Sequence, residues 1–185
     1  MYPRYWEDHN FGILNPYHPV VGISWFEACA YCDWLFQNWD NVSESASSIS
    51  LKTKAIRLSL RTEWIFAAGG DEPDGRYPWD GAGEQTSSFK EFLRHANVSS
   101  DIGVGHTVAV NSYPLGKSPL GVMDLCGNVW EWQANYGNMS EGKLELRGGS
   151  WNDHNNLARV STYNNGRPSD RNNKIGFRIV LIPQA

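Results

Sequence analysis

The sequence predicts an α+β domain with two main helices, short strands and much irregular loop. Apolar residues recur at helical spacing in one long stretch after Ser24 and one short stretch after Thr62. Strand-like alternation is confined to short runs. Eighteen glycines and nine prolines punctuate the 185 residues, so turns outnumber long regular elements. A hydrophobic content of 41% suffices for a core, and nine tryptophans mean that large rings fill it where long elements are lacking. At this length one domain over residues 1–185 is expected.

Residues 1–15 are irregular, aromatic and polar. Pro16-Tyr17-His18-Pro19 leads into a short strand, Val20–Ile23. Ser24 followed by Glu27 spells a capping box, the serine accepting from the Glu27 amide and the glutamate reaching back. Phe26, Ala30, Tyr31, Trp34 and Leu35, with Cys29 and Cys32, then recur at helical spacing to about Trp39. The Ser-rich stretch 41–50 is a surface loop by composition. Ile56–Leu60 alternates like a strand. Thr62 caps a second helix over 63–68, with Glu63 suiting the positive end of its dipole and Gly69-Gly70 stopping it. Turns fill 71–83, a short helix falls within 87–96, a loop covers 97–105, and Thr107–Val110 is a strand. Residues 114–121 form a turn segment before VMDLCGNVWEW at 122–132.

The last long stretch, Leu146–Val180, has two ordered ends. Arg147–Trp151 and Ile175–Val180 carry strand character and turn glycines. Between them lies a polar run with seven asparagines, too poor in apolar area to build its own core. It reads equally as a solvated loop or as a binding surface clamped at both ends.

The bulk numbers exclude several classes. A net charge of −4 with no basic tract argues against a nucleic-acid partner. No apolar run spans a bilayer, and no signal-peptide pattern follows Met1, so either the chain is cytoplasmic or its targeting segment lies outside it. Three cysteines argue against a disulfide framework, and the C-x-x-C of Cys29 and Cys32 falls inside a helical pattern, as two buried thiols on a helix face. His18, His95, His106 and His154 show no metal-ligand spacing. Trp79, Trp130, Trp132 and Trp151 are candidates for a sugar-stacking platform, with core filling the better role for Trp130 and Trp132.

Five stretches together, HPVVGISWFEACAYCDWL (18–35), RLSLRTEWIFAAGG (57–70), YPWDG (77–81), VNSYPLGKSPLGVMDLCGNVWEW (110–132) and LRGGSW with IGFRIV, resemble the formylglycine-generating-enzyme and sulfatase-modifying-factor family. The resemblance implies a C-type-lectin-like fold of the formylglycine-generating-enzyme type. The family's enzymes bind copper through two cysteines after Gly-Gly-Ser. Aligned from Gly148-Gly149-Ser150, those places hold Asp153 and Ala158, and no cysteine follows Cys126. A soft thiolate pair suits Cu(I), and these residues do not supply it, so no copper is expected. The resemblance also implies structural Ca²⁺, held by the side chains of Asp124 and Glu131 and the carbonyls of Gly127 and Val129, with a second site at Asn97 and Val98. The rival role for Glu131 is to accept backbone N–H bonds in a buried turn.

The segment 151–175 also resembles the variable region of diversity-generating retroelement proteins, which share this fold and end in a similar GFR strand. Their mutagenised adenines yield Asn, Tyr, Asp, His and Ser. That palette is present here at Asn152, Asp153, His154, Asn155, Asn156, Ser161, Tyr163, Asn164, Asn165, Ser169, Asp170, Asn172 and Asn173, with Lys174 beside them. Arg159-Val160 and Gly166-Arg167-Pro168 separate the clusters. The expectation is a non-enzymatic recognition protein whose partner is a protein or glycan on another cell or particle. Tyrosine gives rigid contact area at low entropy, and Asn and Ser give adaptable hydrogen bonds. The alternatives are an enzyme retaining family chemistry and a regulatory module of a larger protein.

Overall fold

The computed structural model describes residues 2–45, 52–70, 76–82, 88–101 and 103–184. The remainder of the predicted loops at 41–50 and 71–83 lies outside the described residues. Among the described residues, four α-helices and six strands occur in the order α1 (Trp25–Gln37), α2 (Trp39–Ser45), β1 (Thr53–Leu58), α3 (Arg61–Ala67), α4 (Phe89–Phe92), β2 (Trp130–Asn138), β3 (Lys143–Arg147), β4 (Tyr163–Gly166), β5 (Ile175–Phe177) and β6 (Ile179–Pro183). β1 and β6 form an antiparallel ribbon. The other sheet runs β4-β3-β2-β5, antiparallel except for the parallel pair β2-β5, with Trp130 opposite Ile175.

Helix α1 starts where the capping box put it. The Glu27 amide donates to the Ser24 hydroxyl, and Glu27 Oε2 accepts from the Ser24 N–H at 2.8 Å. Its buried face is Ala28, Cys32 and Leu35, packed on Ile56 and Leu58 of β1 and on Trp130 and Trp132 of β2. Phe26, Tyr31 and Trp34, which helical spacing grouped with the core side, are exposed instead. Small side chains let the helix approach the sheet closely, and rings there would hold it off.

Several expected boundaries shift. The stretch 41–50 begins inside α2 rather than in a loop. Leu60, not Thr62, precedes α3 as its cap residue, because the Glu63 carboxylate three residues on reaches back to the Leu60 N–H at 2.8 Å. Val20–Ile23 and Thr107–Val110 are not in strands. At Val108 the side-chain amide of Asn128 takes the place of a strand partner, accepting from the Val108 N–H at 3.0 Å and donating to its carbonyl at 3.2 Å. The strand expected at Arg147–Trp151 stops at Arg147, since Gly148 and Gly149 turn the chain with φ of +97° and +74°. The C-terminal strand divides at Arg178, whose side chain turns in to Glu131.

Large rings fill the interior, as the composition implied. Trp64, Trp79, Trp130 and Trp132 are all fully buried, and Trp151 is half-buried, so these residues make no shared stacking platform. Cys32 and Cys126 are buried and Cys29 half-buried, and burial pushes the Cys29 and Cys32 thiols up to about 11. Thiols held protonated in this way are poor nucleophiles and poor metal ligands.

Candidate recognition segment

Residues 151–175 are not one open loop. They contain a short 3₁₀ turn at Asn155–Ala158 and the strand β4. The backbone is clamped to the frame at intervals. The Ser99 N–H donates to the Asp153 carbonyl at 3.0 Å, the Val160 N–H to Arg76 at 2.9 Å, the Trp25 N–H to Pro168 at 3.0 Å, and the Gly22 N–H to Asn172 at 3.0 Å. The separators between the asparagine clusters include the buried points of the segment. Val160 is buried, and so is Gly166, where an added Cβ would stand 2.5 Å from the Trp132 ring.

None of the fourteen candidate binding residues is buried. Asn152, His154, Asn156, Tyr163, Asn164, Ser169, Asp170 and Asn172 are exposed, and Asp153, Asn155, Ser161, Asn165, Asn173 and Lys174 are half-buried. Several of them nonetheless shape the chain. Asp170 accepts from the Arg167 N–H at 2.9 Å, Asn164 from the Asn165 N–H at 2.8 Å, and Asn172 from the Lys174 N–H at 3.2 Å. Such side-chain-to-backbone bonds are the reason Asn and Asp favour turns. Asp153 does most: its carboxylate accepts from the buried Trp130 indole at 2.8 Å, from the Ser150 hydroxyl, and from Lys174 Nζ at 3.2 Å. Asp153 and Lys174 therefore belong to the frame beneath the face. The exposed side chains without such bonds are Asn152, His154, Asn156, Tyr163 and Ser169. Tyr163 has the guanidinium of the buried Arg147 6.0 Å from its ring centre.

Of the two places that the resemblance aligns with copper-binding cysteines, Asp153 caps the Trp130 indole and Ala158 is buried. The Ala158 methyl is fully buried against Gly149 and the ring cluster of Tyr77, Trp79 and Phe92.

The residues expected to hold Ca²⁺ are differently engaged. Both oxygens of Glu131 receive the Arg178 guanidinium, at 2.8 to 3.1 Å, and Oε2 also accepts the Trp64 indole N–H at 2.8 Å. Asp124 accepts the Asn111 N–H at 2.7 Å, and its own burial raises its pKa. Burial acts to lower the pKa of Arg178, but the carboxylates of Glu131 and Asp124 together outweigh it and the net direction is up. Gly127 and Val129 lie in the same turn, Gly127 donating to the Gly148 carbonyl at 2.7 Å. At the second place the Asn97 carbonyl accepts the Asn128 N–H at 2.8 Å, its amide donates to His106 and Asn128, and Val98 is buried. Glu131 is thus paired with Arg178, and a cavity of about 220 Å³ beside the pair is lined by Asp124, Asn128, Val129, Glu131 and Arg178.

Sequence reasoning missed an apolar groove of about 710 Å³ between α1 and the N-terminal segment, walled by Tyr2, Trp6, Val20, Tyr31, Trp34 and Phe177. The signal was present in the helical pattern, as two interleaved apolar faces on α1 where one was expected.

Comparison with known proteins agrees with this architecture. Residues 8–182 match the sulfatase-modifying factor enzyme 1-like domain. The chain is 32% identical over 168 residues to the inactive C-alpha-formylglycine-generating enzyme 2 of Bos taurus, covering 86% of this chain and 49% of that protein. It is 29% identical over 190 residues to the formylglycine-generating enzyme of Streptomyces coelicolor, covering 89% and 52%. The chain therefore spans about half the length of these curated relatives. Its fold superposes on Treponema denticola variable protein 1 with a TM-score of 0.71 at 22% identity, covering 95% of this chain and 77% of the other. The chain belongs to the sulfatase-modifying factor enzyme 1-like family.

Proposed function

We propose that this family member is a non-enzymatic recognition domain, a retroelement-diversified variable protein that displays interchangeable side chains of segment 152–174 to a protein or glycan on another cell or particle. One observation carries the reading. The exposed candidates Asn152, His154, Asn156, Tyr163 and Ser169 make none of the bonds that shape the chain, while the backbone under them is fixed by main-chain clamps and by the Asp153 carboxylate. A face whose shape survives exchange of its side chains is what such recognition needs, and the fold likeness to a variable protein supports it. The exchange of the copper-binding cysteines for Asp153 and Ala158 removes the donors on which the family's oxidation depends.

The deciding observation is genomic. A neighbouring reverse transcriptase is expected, with a near-copy of the coding stretch for 151–175 that differs from it at adenines. A locus without these, in a strain series where the segment is invariant, would overturn the reading. The enzymatic alternative is favoured by the likeness to an active-named enzyme of Streptomyces coelicolor. Its test is a Cu(I) titration in the presence of a thiol peptide, where stoichiometric binding would revive it.

A further inference from the structure

We infer that the aromatic groove beside α1 receives apolar side chains of a polypeptide, so that the partner of the recognition segment is a protein and not a glycan. This deepens the recognition reading and rests on it. The groove is open and its walls are arranged before any partner arrives. Tyr31 and Trp34 are 44% and 51% exposed on α1. Their rings lie 5.8 Å apart, and Tyr31 meets Phe177 edge-on at 5.6 Å. On the facing wall Tyr2 stacks on Trp6 at 6.1 Å. Rings held by one another lose little further freedom on binding, which is how aromatic anchors come to dominate protein interfaces.

The chemistry of the lining selects the occupant. Its one charged side chain is Glu27, and that carboxylate is spent on the Ser24 cap and on Arg171 at 2.7 Å. A sugar brings many hydroxyls and would find few partners for them in such a groove. An anionic membrane is disfavoured by a carboxylate in the lining and by a chain of net charge −4. Apolar side chains on a peptide meet neither objection, and a groove of about 710 Å³ has room for several.

The groove is also continuous with the recognition segment. Arg171 pairs with Glu27 from that segment, the Arg171 carbonyl lies 3.4 Å from Arg4, and the Trp25 N–H at the head of α1 holds Pro168. A protein lying across residues 168–174 therefore reaches the groove without a gap.

The test pans a library of random twelve-residue peptides, displayed on phage, against the wild-type domain, with a glycan array run beside it. Selected peptides are expected to be rich in Trp, Phe and Leu and to bind Trp34→Ala at least tenfold more weakly, at unchanged melting temperature. Val20→Asp places a charge in the groove from outside the helix and gives the same readout should Trp34→Ala fail to fold. Failure to select any peptide, binding confined to the glycan array, or a wild-type dimer dissociated by Trp34→Ala would each overturn the inference. Peptides that lose affinity for His154→Ala with Asn156→Ala but not for Trp34→Ala overturn the groove and leave the recognition segment standing. Peptides that need Trp34 and ignore the segment variants overturn the recognition reading itself.

Discussion

Asp153 takes three donors at one carboxylate: the Trp130 indole, the Ser150 hydroxyl and the Lys174 ammonium. Asp153→Ala leaves a buried indole N–H without an acceptor, and about 2 kcal/mol of stability should be lost, read from urea denaturation. Asp153→Asn keeps one acceptor oxygen and should lose less. Asp124 behaves in the opposite sense. Its pKa is raised by burial, so the folded state takes up the proton before the unfolded state does as pH falls. Stability from this group is present below the ordinary carboxylate pKa and is lost as pH rises through the raised value. Asp124→Asn should therefore melt higher than wild type at pH 7, and the gap should close in acid. Residue identity was half legible in the sequence. The abundance of Asn and Asp marked a segment with solvent access, but Asp170, Asn164 and Asn172 spend side-chain oxygens on their own turns, and composition alone does not separate that duty from display. The resemblance placed Asp124 and Glu131 together, and both line one cavity in the structure, where Arg178 pairs with Glu131.

Elements show where local sequence is decisive and where it is not. The α1 cap is encoded within four residues, so it was legible, and Ser24→Ala should cost about 1 kcal/mol by thermal denaturation. The α3 start is encoded by Glu63 rather than by a capping hydroxyl. Hydrogen bonding to Arg57 holds the Glu63 carboxyl below its ordinary range, so its contribution is present above the ordinary value and is lost as pH falls through the lowered one. Glu63→Gln should be less stable than wild type at neutral pH and converge with it in acid. Thr107–Val110 has strand composition and no strand, because its partner is the Asn128 carboxamide, 20 residues away. A partner chosen by tertiary contact leaves no local trace. The same holds for α1, where the choice between Ala28 with Cys32 and Tyr31 with Trp34 as the inner face depends on how near the sheet lies.

At the scale of the whole molecule, the motif set carried the architecture, since GNVWEW, GGSW and GFR fall where β2, the turn after β3 and β5 meet. If frame and face are separable, single alanine substitutions at Asn152, His154, Asn156 and Ser169 should each change stability by no more than about 0.5 kcal/mol, measured by denaturant midpoint. A loss well beyond that at any of them would tie the face to the frame. The groove stayed illegible because it joins α1 to Tyr2, Pro3 and Trp6 near the start of the sequence and to Phe177 near its end. The clamps along residues 153–172 carry one more consequence. Each fixes a count of residues as well as a place: Asp153, Val160, Pro168 and Asn172 meet their partners in order, and Ile175 must then arrive opposite Trp130. Adding or removing a single residue between two of these rivets would rotate every later side chain out of step. The segment is thus metered in length, and replacing an exposed residue should disturb its path far less than inserting or deleting one.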